Sequence, residues 1–248
     1  MANWNDPQPR KTGFGASPVL NGQTIGTGAV YDQGLRKHML SIYNYMASGV
    51  LLSGVVALFF ASSGMAAQVM ATPLKWLIIL APLGFVFGMS MGALRMQTAT
   101  LQALFWGFCV AMGLSMSTIF LVYTGASIAT TFFATAGAFA GLSLVGYTTK
   151  KDLSAMGAFM AMGVIGLLIA IVINMFMQSS GLQLAISGLG VLIFAGLTAW
   201  DTQRLKQEYY QLAGTDFAGK AVVLGALTLY LDFINMFQFL LSFLGSRD

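Results

Sequence analysis

The chain has 248 residues, of which 57% are hydrophobic and 8% charged. A soluble domain carries roughly 25% charged residues, so a water-covered enzyme or a nucleic-acid-binding domain is excluded despite the net charge of +4. One cysteine, Cys109, and one histidine, His38, allow no intrachain disulfide, no His/Cys zinc site and no haem held by two histidines.

Residues 1–30 are rich in Gly, Ser, Thr, Asn and Pro and contain no apolar run. They are predicted to form a mobile tail, without the apolar stretch of a cleaved signal peptide. Tyr31 to His38 is expected to start a helix at the membrane surface. Residues 31–248 read as one transmembrane domain. Seven apolar segments follow, near 39–61, 74–94, 101–122, 127–147, 155–177, 181–201 and 221–244. Each holds about 20 residues or slightly more, enough to cross about 30 Å of hydrocarbon as a helix. Lipid cannot satisfy exposed backbone groups, so continuous apolar runs of this length predict helices, not a barrel. The fold class is an all-α, seven-helix membrane bundle.

Lys and Arg orient the bundle. With the N-terminus inside, Arg10, Lys11, Arg36, Lys37, Arg95, Lys150, Lys151, Arg204, Lys206 and Lys220 fall on the inner side, and Lys75 and Arg247 on the outer. This asymmetry predicts a cytoplasmic N-terminus and an outside C-terminus. Gly84, Gly88 and Gly92 line one face of the second span, and Gly137 and Gly141 one face of the fourth. Such faces are expected to pack against neighbouring helices, an oligomer contact being the other reading. Pro82 is expected to kink the second span.

Charges inside a membrane are costly and mark candidate sites. Asp232 lies in Leu229-Tyr230-Leu231-Asp232-Phe233-Ile234-Asn235, about 16 Å into the last span. Asp201 lies near the inner end of the sixth span. The polar stretch after it has no Pro or Gly before Gly214, so the helix is free to continue to about Gln211. Asp201 would then sit about 15 Å above that end, at the depth of Asp232 on an antiparallel neighbour. Arg95 closes the second span and can reach toward the same cavity. Two close carboxylates do not both ionise easily, and their protons belong to the pair. An arginine bridges to the ionised form and is released by protonation. An oxygen-rich cavity of this kind also suits Ca²⁺, which places a candidate calcium site at Asp201 and Asp232.

Two blocks, Asp201-Thr202-Gln203-Arg204-Leu205-Lys206 and Leu229-Tyr230-Leu231-Asp232-Phe233-Ile234-Asn235, carry a family resemblance. The chain resembles the Bax inhibitor-1 family over residues 31–245, with a polar loop between the blocks a few residues longer than usual. The resemblance implies six helices around a central seventh and a pH-sensitive Ca²⁺ leak. It also implies an aspartate-pair sensor at Asp201 and Asp232, and a latching arginine, matched more loosely by Arg95. No cofactor is required, and Ca²⁺ is the expected transported ion.

The alternative is a non-conducting regulator that binds a membrane protease or another membrane protein, a role linked to bacterial relatives. Two aspartates on the last helices also resemble aspartyl intramembrane proteases. Those carry Gly-x-Gly-Asp and Pro-Ala-Leu blocks, whereas Tyr230 and Leu231 precede Asp232 and no Pro-Ala-Leu occurs. His38 lies outside the spans, which argues against a membrane serine protease. No enzyme is expected. Beyond the lipid bilayer, no nucleic acid is expected as a partner. Compactness and the lack of organelle signals point to a bacterial inner membrane.

Overall fold

Each apolar run becomes a helix, because only intrahelical hydrogen bonds can satisfy the backbone within lipid. In the computed structural model the backbone is described for residues 19–20, 23–24 and 27–246, and side chains for 33–246. The tail predicted over 1–30 therefore lies mostly outside the described residues. Two short strands, Val19–Leu20 and Gln23–Thr24, pair antiparallel within it. The first helix, α1, begins at Thr27 and runs Thr27–Ser62, earlier than the start expected near Tyr31.

The chain continues through α2 (Met65–Met70), α3 (Leu74–Gly92), α4 (Thr98–Met116), α5 (Ile119–Val122) and α6 (Gly125–Thr148). It ends with α7 (Ser154–Met177), α8 (Ser180–Leu212) and α9 (Ala218–Leu244). Seven helical stretches among the described residues are long and apolar enough to cross a membrane, with α4 and α5 together forming the third. Pro82 is buried inside α3, and the helix continues through it to Gly92. Helix ends fall where the sequence supplies caps. Thr124 Oγ1 accepts from the Ser127 N–H at 3.2 Å, and Ser179 Oγ accepts from the Leu182 N–H at 3.3 Å. The turn after α8 passes through Gly214 at φ 81°, a left-handed conformation that glycine adopts without steric cost.

Helix α9 runs through the middle, packed against α1, α4, α6 and α8. Helices α3 and α7 form an outer layer, α3 on α4 and α7 on α8. The central packing is aromatic. Phe108 meets Tyr230 edge-on at 5.0 Å between ring centroids, and Phe105 completes the cluster. Edge-to-face pairs add about 0.5–1.5 kcal/mol each beyond the area they bury. The outer surface is apolar as well, with Phe87, Phe133 and Phe176 all exposed on it.

That apolar exterior corrects one expectation. Gly84, Gly88, Gly137 and Gly141 have no atom within 4 Å of where a side chain would begin. They face outward and do not pack inside the bundle. The nearest atoms to an alanine Cβ at Gly92 would be those of Met96, in the next turn. The close helix approaches lie elsewhere. A side chain at Gly146 would run into the Ala199 carbonyl on α8, and one at Gly157 into the Trp200 ring.

Candidate functional site: a buried carboxyl pair

Helix α8 does continue past the apolar run, to Leu212. Asp201 thus stands about 16 Å above its end at 1.5 Å per residue. Helix α9 packs antiparallel to α8 and carries Asp232 on the face turned toward it. The two residues are 4% and 5% exposed, and their carboxyl groups lie within hydrogen-bond reach of each other. Carboxyls this close need a proton between them, because two bare carboxylates offer acceptors only. Asp232 Oδ2 is buried without a hydrogen-bond partner.

The cation at this pair is Arg204. Its Nη2 lies 2.7 Å from Asp201 Oδ1, one helical turn along α8. Asp201 Oδ1 has no directed hydrogen bond, so the contact is an ion pair by distance alone. The guanidinium also lies over the Trp200 ring at 4.9 Å and 3.5 Å from Glu208 Oε1. Its side chain is 38% exposed, so it links the buried pair to the aqueous end of α8. Arg95 sits in the exposed turn after α3 and makes no ion pair among the described residues. The structure brings Asp201 and Asp232 together and leaves Arg95 apart from them. Arg204 was visible in the sequence block around Asp201, and its i,i+3 spacing is the signal that marks it as a partner.

The rest of α8 near Asp201 is tied down. Thr202 Oγ1 donates to Ser143 Oγ on α6 at 3.4 Å. Gln203 Nε2 donates to the Lys151 carbonyl at 2.8 Å, while its Oε1 accepts from the Leu153 N–H at 2.9 Å. Lys206 Nζ donates to the Tyr147 carbonyl at 2.8 Å. In the same loop the Ser154 hydroxyl and N–H both donate to Asp152 Oδ1, at 2.6 and 2.9 Å. These two donors hold the Asp152 carboxyl below the usual carboxylate range. Among the described residues no group of three or more His, Cys, Asp or Glu gathers. A Ca²⁺ ion at Asp201 and Asp232 would take the remainder of its six to eight oxygens from carbonyls, hydroxyls and water.

A second buried polar cluster escaped the sequence reading. Ser53 on α1 and Tyr230 on α9 share a hydrogen bond of 2.6 Å between hydroxyls, and Ser53 Oγ also lies 2.7 Å from the Cys109 carbonyl on α4. Tyr230 belongs to the block around Asp232, but nothing in the spacing of Ser53 points to it.

Fold and site together define an integral membrane protein of seven helices with a carboxyl pair held inside the bundle. The family model described as "Inhibitor of apoptosis-promoting Bax1" matches residues 35–248. The chain belongs to the Bax inhibitor-1 family. It is similar to an uncharacterized protein of Rickettsia prowazekii, 46% identical across 90% of this chain and 95% of that one. It is also similar to an uncharacterized protein of Caulobacter vibrioides, 47% identical across 87% and 91%. The inner membrane protein YbhL of Escherichia coli is 42% identical across 86% and 93%.

Proposed function

We propose that this protein is a pH-sensitive cation leak of the bacterial inner membrane, with Ca²⁺ as the ion and no catalytic activity. The observation that carries the reading is the contact between Asp201 and Asp232 inside the bundle, with Arg204 against one of them. With one proton, the pair keeps a single negative charge that Arg204 offsets. A second proton, taken up in acid, removes that charge and with it the attraction holding the guanidinium. The pair then no longer draws α8 and its cation together, and the bundle is freer to open around α9. Arg95, the latch that the family resemblance assigns, acts in a second conformation in which the end of α3 reaches the pair. The N-terminus is cytoplasmic, on the side of the basic links.

Ca²⁺ flux into proteoliposomes at pH 6 and pH 8 tests this, wild type beside Asp232→Asn and Asp201→Asn, the second of which removes the charge that Arg204 offsets. Acid-enhanced flux whose pH dependence weakens in Asp232→Asn and disappears in Asp201→Asn supports the reading. A folded, reconstituted protein that passes no Ca²⁺ at either pH overturns it.

The second reading is a non-conducting regulator of a membrane protease or another membrane protein. The outward faces of Gly84 and Gly88 on α3 favour it, because nothing in the bundle covers them. Crosslinking from Gly84→Cys to another membrane protein, with no flux, would select it.

A further inference from the structure

Helices α1 and α6 both pack on α9 but leave a lateral cleft between them. The cleft encloses about 710 Å³. Met46 forms part of the α1 wall, Phe132 and Phe139 part of the α6 wall, and Phe233 of α9 the back. A second cavity of about 270 Å³ continues past Val50 and Phe132 toward the far end of α1. The main cleft extends from Arg36 to Leu51 along α1, about 22 Å at helical rise. That is more than half of a hydrocarbon core of about 30 Å.

The two ends of this cleft differ in chemistry. Arg36 is the one charged residue among its lining residues. It lies at the end shared with Tyr147 and makes no ion pair among the described residues. Lys206 Nζ stands behind the same end, donating to the Tyr147 carbonyl and 5.1 Å from the Tyr147 ring. No described acidic residue lines the cleft. An apolar slot at bilayer depth with a lone guanidinium at its polar end matches an acyl chain below a phosphate. A zwitterionic headgroup would bring its ammonium to an end where the described lining offers a guanidinium and no carboxylate.

We propose that the α1–α6 cleft binds one anionic phospholipid, its phosphate against Arg36 and an acyl chain along Phe139 and Phe233. The occupant lies beside the carboxyl pair without touching it. Ser143, on the cleft wall, receives the hydroxyl of Thr202, the neighbour of Asp201, and Phe233 follows Asp232. The site does not depend on whether the protein conducts.

Native mass spectrometry of the full chain, with phosphatidylglycerol and phosphatidylcholine of equal acyl composition, tests the proposal. The wild type retains one phosphatidylglycerol in preference to phosphatidylcholine. Arg36→Ala lowers that preference about fivefold, the worth of one basic residue near a lipid surface, and Arg36→Lys keeps most of it. Ala140→Trp fills the cleft from the α6 wall and abolishes retention of either lipid. Ala47→Trp fills it from the α1 wall and serves if the first variant fails to fold. Equal retention of the two lipids by the wild type overturns the proposal. So does a folded, cleft-filled variant that still holds phosphatidylglycerol.

Discussion

The hydroxyls of Ser53 and Tyr230 meet at 2.6 Å across 177 positions of sequence, joining α1 to the central helix. Ser53 Oγ lies 2.7 Å from the Cys109 carbonyl as well, so one buried hydroxyl ties together α1, α4 and α9. Tyr230→Phe removes one partner and leaves Ser53 its carbonyl contacts. It should cost about 1 kcal/mol, the usual scale for a buried hydrogen bond and for polar contacts between membrane helices. Ser53→Ala leaves the Tyr230 hydroxyl buried without a partner and should cost more. Thermal unfolding in detergent of both single variants and the double variant checks this. Strictly additive losses would refute the coupling.

The carboxyl pair makes a prediction about substitution chemistry. An asparagine at 232 offers a permanent donor to the Asp201 carboxyl, so Asp232→Asn should fold with a stability within about 1 kcal/mol of wild type. Asp201 keeps its carboxylate against Arg204 in that variant, so the acid response of its flux should weaken, whereas Asp201→Asn should abolish it. Arg204→Gln removes the cation from a buried carboxylate. Because Arg204 is 38% exposed, solvent screening limits the loss to about 1 kcal/mol. Melting curves of the two variants at pH 8 should place Arg204→Gln below Asp232→Asn.

Two glycines of α6 should respond oppositely to alanine. Gly141 faces open space, so Gly141→Ala should stabilise the helix by about 0.5–1 kcal/mol. At Gly146 the new methyl would meet the Ala199 backbone carbonyl, which cannot move without shifting α8. Gly146→Ala should destabilise by about 1–3 kcal/mol. Thermal melting of the two variants, side by side, measures the contrast.

The loop before α7 carries a pH signature outside the membrane. The Ser154 donors hold the Asp152 carboxyl below its ordinary value. A carboxyl depressed by folding stabilises at pH above its unfolded value, and that contribution is lost as pH falls through the folded one. Ser154→Ala removes the hydroxyl donor. The stability gap between wild type and this variant should therefore be widest at neutral pH and close in acid. A gap that widens on acidification would contradict the assignment.

The spans were legible because continuous apolar length is itself the requirement for crossing a bilayer. The extension of α8 to Leu212 was legible from the lack of a breaker before Gly214. So were Asp201 and Asp232, since an acid inside an apolar run has few other readings. The orientation of the glycine faces was not. In water, an apolar stripe marks the buried side of a helix, but in lipid both sides are apolar, so Gly84 and Gly146 look alike in sequence. The partner of Asp201 was missed for a different reason. Arg95 ends a span and draws attention, whereas Arg204 lies in a polar stretch where arginines are ordinary. Only the i,i+3 spacing singles it out.

Helix α3 packs chiefly on α4, while α8 is fastened to α6, α7 and α9. A helix attached along one edge can hinge like a shutter, because swinging it exchanges contacts with one neighbour, such as Phe85 against Gly107, for contacts with lipid and leaves the Phe108–Tyr230 pair in place. The bundle thus has a frame that holds the acids and two outer helices, α3 and α7, each resting chiefly on one neighbouring span. Basic turns follow α3, at Arg95, and α6, at Lys150 and Lys151, and the turn after α3 is tied to the central helix where Lys220 Nζ donates to the Leu94 carbonyl at 3.4 Å.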